Sequence, residues 1–222
     1  MVNLYHIDCM EFMADKPDKY YDLAIVDPPY GLDMDDHAYQ NGVNCKANGF
    51  KDHRKGRWDD AIPDSLYFNE LFRVSKNQII WGGNYMTKFL KPTMCWIIWN
   101  KVQRNFSFSD GEMAWSSFDL KLKIFDYARG NESGFAPKIK AGMKNGCNIH
   151  PTQKPIALYE WLLMNYAKPG DKILDTHGGS GSICIACHNL GFDLDWCELD
   201  AEYFEEAKKR FDIHKAQLRI FQ

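Results

Sequence analysis

The sequence predicts an α/β fold, a mostly parallel sheet with helices packed on both faces. Two observations carry that prediction. Short apolar runs alternate with stretches of helical spacing, the rhythm of strands joined by crossover helices. Several of the runs also stop abruptly at an acid: Leu4 to Ile7 at Asp8, Tyr21 to Val26 at Asp27, Lys172 to Leu174 at Asp175, and Phe192 to Cys197 at Glu198. Ligands of open α/β sheets sit at such carboxyl ends.

Each element has a local reason. Leu23-Ala24-Ile25-Val26 is apolar enough for a strand buried on both sides. Pro28 and Pro29 then offer no ladder donors, so the strand ends and leaves Asp27 at its tip. Residues Asp33 to Asp60 are poor in apolar side chains and too long for an ordinary connection, which predicts a loop that is either functional or mobile; its expected place is over the active site. Asp64 to Val74 has helical spacing, with Leu66, Phe68, Leu71, Phe72 and Val74 available for burial. Gln78 to Trp81 is the next strand, stopped by Gly82-Gly83. Met94 to Trp99 and Glu112 to Ser117 read as two more in a hairpin arrangement. Ala128 to Asn148 contains four glycines and shows no period. Beyond it, Pro155 to Tyr166 is a helix with proline at its start. The strand Lys172 to Leu174 follows, then a helix from Ser180 to Leu190 closed by Gly191, the strand Phe192 to Cys197 and a helix from Ala201 to Arg210.

Bulk properties narrow the class. The chain has 222 residues, 45% hydrophobic and 26% charged, which suits a single domain spanning 1–222. No apolar run approaches the roughly 20 residues of a membrane helix. The first residues lack the basic start and apolar core of a signal peptide, so the expected location is the cytoplasm. Seven scattered cysteines suit a reducing compartment. Cys184 and Cys187 form one C-x-x-C that would share a helix face, but no second pair stands at zinc spacing, so no metal is expected. The net charge of −3 argues against a general polyanion binder, yet bases cluster in two segments. Lys46 to Arg57 carries Lys51, Arg54, Lys55 and Arg57 among its bases; Lys121 to Lys154 includes Lys138, Lys140 and Lys144. Both are compatible with local phosphate contact.

A second constellation is Asp175-Thr176-His177-Gly178-Gly179-Ser180-Gly181-Ser182: strand end, acid, glycine-rich turn, helix start. Glycines let backbone approach a ligand closely, and a helix N-terminus offers free N–H groups. Glu198 follows Asp175 by 23 residues, near the ~20 of a Rossmann-like site whose second acid grips ribose hydroxyls. No G-x-x-x-x-G-K-[ST] occurs, so a nucleoside ligand fits better than a triphosphate.

Taken in order, Asp27-Pro28-Pro29-Tyr30, His150-Pro151-Thr152-Gln153-Lys154-Pro155 and the Leu174 to Ser182 turn resemble the S-adenosylmethionine-dependent amino-methyltransferases of DNA. Catalytic motif first and cofactor motif last is the permuted order of the beta class. Ile80-Trp81-Gly82-Gly83-Asn84-Tyr85, Trp99-Asn100-Lys101 and Glu112-Met113-Ala114-Trp115 extend the resemblance over nearly the whole chain. It implies a class I methyltransferase fold, S-adenosylmethionine as cofactor, and double-stranded DNA as partner with the target base flipped out. It also implies a recognition insertion at about 118–149, and it accommodates a homodimer. The family usually has Pro-Phe where Thr176-His177 stand.

The resemblance assigns roles. Asp27, Pro28, Pro29 and Tyr30 would be catalytic. Asp27 and the Pro28 carbonyl would accept the two hydrogens of a base amine, freeing its lone pair for the methyl, while the carboxylate stabilises the growing positive charge. Tyr30 would stack on the flipped base. On the cofactor side, Asp8 and Cys9 would meet its adenine, and Asp175 with the Gly178, Gly179, Ser180, Gly181 and Ser182 turn its amino-acid end. His150, Thr152 and Lys154 would sit near its carboxylate, Glu198 would hold the ribose, and Asp27, His177, Leu199 and Asp200 complete the set. A plain strand-end cap is the alternative for Asp8. The expected product is N6-methyladenine, since relatives with Ser in place of Asp27 lean to cytosine N4. A non-catalytic DNA-binding relative is the alternative from outside enzymology.

Overall fold

The computed structural model describes residues 1–32, 61–104, 109–128 and 153–218. Its elements are β1 (Val2–His6), α1 (Cys9–Ala14), β2 (Tyr21–Val26), α2 (Ser65–Val74), β3 (Ser75–Trp81), β4 (Trp96–Asn100), β5 (Gly111–Ser116) and β6 (Lys123–Asp126). After these come α3 (Ile156–Tyr166), β7 (Lys172–Asp175), α4 (Ser182–Leu190), β8 (Asp193–Glu198) and α5 (Ala201–Leu218). The strands form one sheet in the order β1-β8-β7-β2-β3-β5-β4-β6. All neighbouring pairs are parallel except those made by β5, which runs against β3 and β4. The expected α/β architecture is therefore present.

Strand alternation builds two cores. Leu23, Ile25, Ile79, Trp81, Ile173 and Leu194 point to one face, where α3, α4 and α5 bring Leu162, Ile183 and Phe211. Ala24, Val26, Ile80 and Leu174 point to the other, where α1 and α2 bring Phe12, Met13, Phe68 and Leu71. Helix α2 shows why. Asp64 caps it by accepting from Leu66 N and Tyr67 N, and Tyr67, Phe68, Leu71 and Val74 share its buried face. Leu71 is wholly buried, so truncating it to alanine costs about 2–5 kcal/mol.

The topology fixes where a ligand can sit. From β7 the chain moves through α4 to β8 on one side of the sheet; from β2 it proceeds through α2 to β3 on the other. The crossovers lie on opposite faces, so a crevice opens between the carboxyl ends of β7 and β2. Asp175 and Asp27 stand at those ends.

Three local features differ from the sequence expectation. Asp8 does not simply end a strand: its carboxylate accepts from Met10 N at 2.8 Å and Glu11 N at 3.2 Å and so caps α1, a helix too short for periodicity to reveal. Helix α4 starts at Ser182 rather than Ser180, because Gly181 takes the left-handed conformation at φ 68°. Lys123–Asp126, inside the expected recognition insertion, pairs with β4 as an edge strand of the main sheet. The loop 33–60 and the rest of that insertion, 129–149, lie outside the described residues.

Candidate active site

The carboxyl ends of β1, β2, β7 and β8 enclose a cavity of about 550 Å³. Its wall contains Asp8 and Cys9 after β1, Asp27 to Tyr30 after β2, Thr176 to Ser180 after β7, and Glu198 to Ala201 after β8. Gln153 and Lys154 enter from the segment before α3, Tyr159 from α3 itself and Tyr203 from α5. Chain segments far apart in sequence thus meet around one space of the size of small-ligand sites.

At the β2 end, both oxygens of Asp27 are engaged. The Tyr30 hydroxyl donates to Oδ1 at 2.6 Å, and the Lys154 ammonium pairs with Oδ2. Burial pushes the Asp27 carboxyl above its ordinary value; the Lys154 ammonium opposes that push and Glu112 adds to it. Lys154 is itself buried, with its charge held up by Asp27 and Glu112 against the desolvation that would lower it. The Tyr30 ring stacks on Tyr85 with centroids 5.4 Å apart and lies directly over Gly82.

At the β7–β8 end, Glu198 ties two loops together. Gly179 N donates to Oε2 at 2.7 Å and Asp200 N to Oε1 at 2.8 Å. Each carboxylate oxygen has a second lone pair, so the group can still accept from a ligand hydroxyl. Burial raises the Glu198 carboxyl from its ordinary value, against these N–H groups. Gly178 lies so close to Trp196 that a Cβ there would fall 1.9 Å from the indole. Only glycine lets the turn fold back this far.

His177 is held by Thr176, whose Oγ1 lies 2.9 Å from Nδ1 and 2.7 Å from the buried Tyr67 hydroxyl. Burial lowers the imidazole to about 4, so it is neutral at pH 7. Cys9, on the same cavity wall, is pushed up to about 12, chiefly by burial, and stays a thiol.

Of the residues singled out from sequence, Asp8, Cys9, Asp27, Pro28, Pro29, Tyr30, Lys154, His177, Gly178, Gly179, Ser180, Glu198, Leu199 and Asp200 all line this cavity. Asp175, Gly181 and Ser182 are not part of its wall. Asp175 is buried beneath the turn and accepts from His177 N at 3.1 Å. Ser182 is gripped by Arg210 at 3.0 Å. Lys154 lines the cavity but directs its ammonium to Asp27 and Glu112. His150, Thr152, Lys51, Arg54, Lys55, Arg57, Lys138, Lys140 and Lys144 lie outside the described residues.

Sequence reasoning missed Glu112, Lys101, Tyr159 and Gly82 as parts of the site. A signal existed for Glu112, an acid in an otherwise apolar strand. Among the described residues no cluster suits a metal ion, and no helix is long and apolar enough to cross a membrane.

The comparisons agree with this geometry. The chain is 26% identical to the Type II methyltransferase M2.MboI of Moraxella bovis, over 94% of this chain and 87% of that protein. It is 23% identical to the Type II methyltransferase M2.DpnII of Streptococcus pneumoniae, over 94% and 89%. The crystal structure of the M1.HpyAVI–SAM complex shares the fold, with a TM-score of 0.57 at 22% identity, covering 95% of this chain and all of that one. The family model described as DNA methylase matches residues 80–209, more than half of the sequence. With its acid-tipped strands around one cavity and that match, the chain belongs to the DNA methylase family.

Proposed function

We propose that this DNA methylase transfers a methyl group from S-adenosylmethionine to the N6 amine of adenine in DNA. The observation that carries the reading is Asp27, at the tip of β2 and followed by Pro28-Pro29-Tyr30, on the wall of the cavity that also holds the glycine turn and Glu198. The residues present fit the cofactor. Gly178 lets the turn pack against Trp196 so that the backbone of Gly178 and Gly179 lines the cavity, and Glu198 offers ionisable acceptors beside it. When bound, the cofactor supplies an electrophilic methyl on sulfonium.

The chain's own residues do the rest. Glu198 accepts from the ribose, and Asp8 and Cys9 border the adenine. Asp27 and the Pro28 carbonyl accept hydrogens from the target amine, drawing its nitrogen toward tetrahedral geometry. The carboxylate then stabilises the positive charge that grows there. Tyr30 stacks on a base flipped from the duplex. An acid at position 27, where cytosine-directed relatives carry serine, favours adenine. The basic segments around Lys51, Arg54, Lys55 and Arg57, and around Lys138, Lys140 and Lys144, are the proposed phosphate contacts.

The test is methyl transfer to unmethylated DNA followed by modified-base detection. N6-methyladenine from wild type and none from Asp27→Ala, with S-adenosylhomocysteine still bound, supports the proposal. N4-methylcytosine would move the substrate to cytosine, and binding without transfer would mark a non-catalytic relative.

A further inference from the structure

A line of buried charges leads from Asp27 into the protein. Lys154 pairs with Asp27 Oδ2 and lies 3.2 Å from Glu112 Oε2; Lys101 lies 2.8 Å from Glu112 Oε1. The four residues come from four places: the end of β2, the segment before α3, the start of β5 and the end of β4. The Lys154 side chain is 1% exposed, that of Lys101 8% and that of Glu112 21%. Buried charges are costly to assemble and invite a functional account.

The signs set a problem for catalysis. Methyl transfer to an amine needs negative charge beside the nitrogen, yet Asp27 is paired with an ammonium. An isolated Asp27–Lys154 pair is neutral overall, and its cation opposes the positive charge growing on the substrate. Glu112 is placed to correct this. We propose that Glu112 is a positioning residue for methyl transfer: it anchors Lys154 against Asp27 and offsets the ammonium, so the carboxylate keeps its pull on the amine nitrogen. Lys101 on the far side limits the excess negative charge. The inference rests on the methyl-transfer role of Asp27.

The same line of charges predicts opposite responses in two variants. The titratable groups facing Asp27 are Lys154, Glu112, Tyr30, Tyr159 and Asp175. Glu112 raises the Asp27 carboxyl, so Glu112→Gln should lower its titration midpoint. Lys101→Met removes a cation and should raise it. Both variants lose the Lys101–Glu112 pair, and Glu112→Gln also loses the Lys154–Glu112 pair; structural damage from the shared loss would move both midpoints in the same direction.

The experiment combines carbon-13 NMR titration of the Asp27 carboxyl with the pH dependence of kcat on unmethylated DNA. The expected result is a lower midpoint and acid limb for Glu112→Gln and higher ones for Lys101→Met. In Glu112→Gln the plateau kcat should fall about tenfold, with the KM for the cofactor within about twofold. Glu112→Asp, which keeps the charge, should recover most of that loss. Midpoints that stay fixed or move together, or a Glu112→Gln kcat within about twofold of wild type, would overturn the proposal. The NMR arm needs no turnover, so a wild type that methylates no DNA would refute the methyl-transfer reading separately.

Discussion

The hydroxyl of Tyr30 donates to Asp27 Oδ1 across 2.6 Å. This bond favours the ionised carboxylate, whereas the ring beside it is the surface proposed to stack on a base. The two contributions separate by mutation. In Tyr30→Phe the ring stays and the donor goes, so the Asp27 carboxyl should titrate higher and the acid limb of kcat should move to higher pH. In Tyr30→Ala stacking is lost as well, at about 1–3 kcal/mol, so kcat/KM should drop roughly tenfold further. Equal rates for the two variants at every pH would show that the ring contributes nothing.

Gly82 sets the height of that ring. Its φ is +66°, and a Cβ there would lie 2.2 Å from Tyr30 Cε1. Gly82→Ala therefore combines backbone strain of about 1–2 kcal/mol with displacement of Tyr30 from Asp27. The expected outcome is a kcat lowered tenfold or more while affinity for S-adenosylhomocysteine stays within about twofold. Calorimetry and single-turnover rates check the two halves, and a variant with wild-type kcat would show that Tyr30 tolerates the shift.

The frame of this site was legible in the sequence because strand ends announce themselves. Asp27, Asp175 and Glu198 each close an apolar run, the prolines after Asp27 have few conformational alternatives, and the glycines after Asp175 mark a turn that other residues adopt at a cost. What remained hidden depends on pairing between distant strands. Lys101 and Glu112 meet only because β5 runs antiparallel to β4, with Asn100 opposite Gly111, and Lys154 arrives there from another segment. No local pattern encodes such a meeting. Helix α1 was missed for a different reason: its six residues are too few for a helical period, and Asp8 served equally well as a strand end. Strand β6 carries exposed lysine and isoleucine at the sheet edge, so it lacks the apolar run of a buried strand.

Glu198 joins the glycine turn to the loop after β8 through Gly179 N and Asp200 N. Glu198→Ala should loosen both loops and remove the acceptor proposed for the ribose. Hydrogen bonds to charged groups are worth about 1.5–3 kcal/mol, so affinity for S-adenosylhomocysteine should fall at least tenfold by titration calorimetry. Unchanged affinity would remove Glu198 from the cofactor site.

Asp175 supplies a prediction in pH rather than affinity. Burial raises its carboxyl to about 8 from an ordinary 3.8, partly offset by the His177 N–H, while Asp27 and Glu198 nearby push the same way as burial. A neutral Asp175 at pH 7 spares the site a third negative charge close to these two. The folded value exceeds the unfolded one, so folding favours the protonated form. Its contribution to stability is full below about pH 4 and is lost as pH rises through 8. Asp175→Asn keeps an acceptor for His177 N and removes the titration. The variant should therefore hold its Tm between pH 5 and 8.5 better than wild type does, by at least the ~2–4 °C that corresponds to 1 kcal/mol in a domain of this size. Scanning calorimetry at the two pH values reads the difference directly. Parallel declines in both proteins would mean that Asp175 is ionised throughout this range, and the turn would then have to hold a buried carboxylate on one N–H.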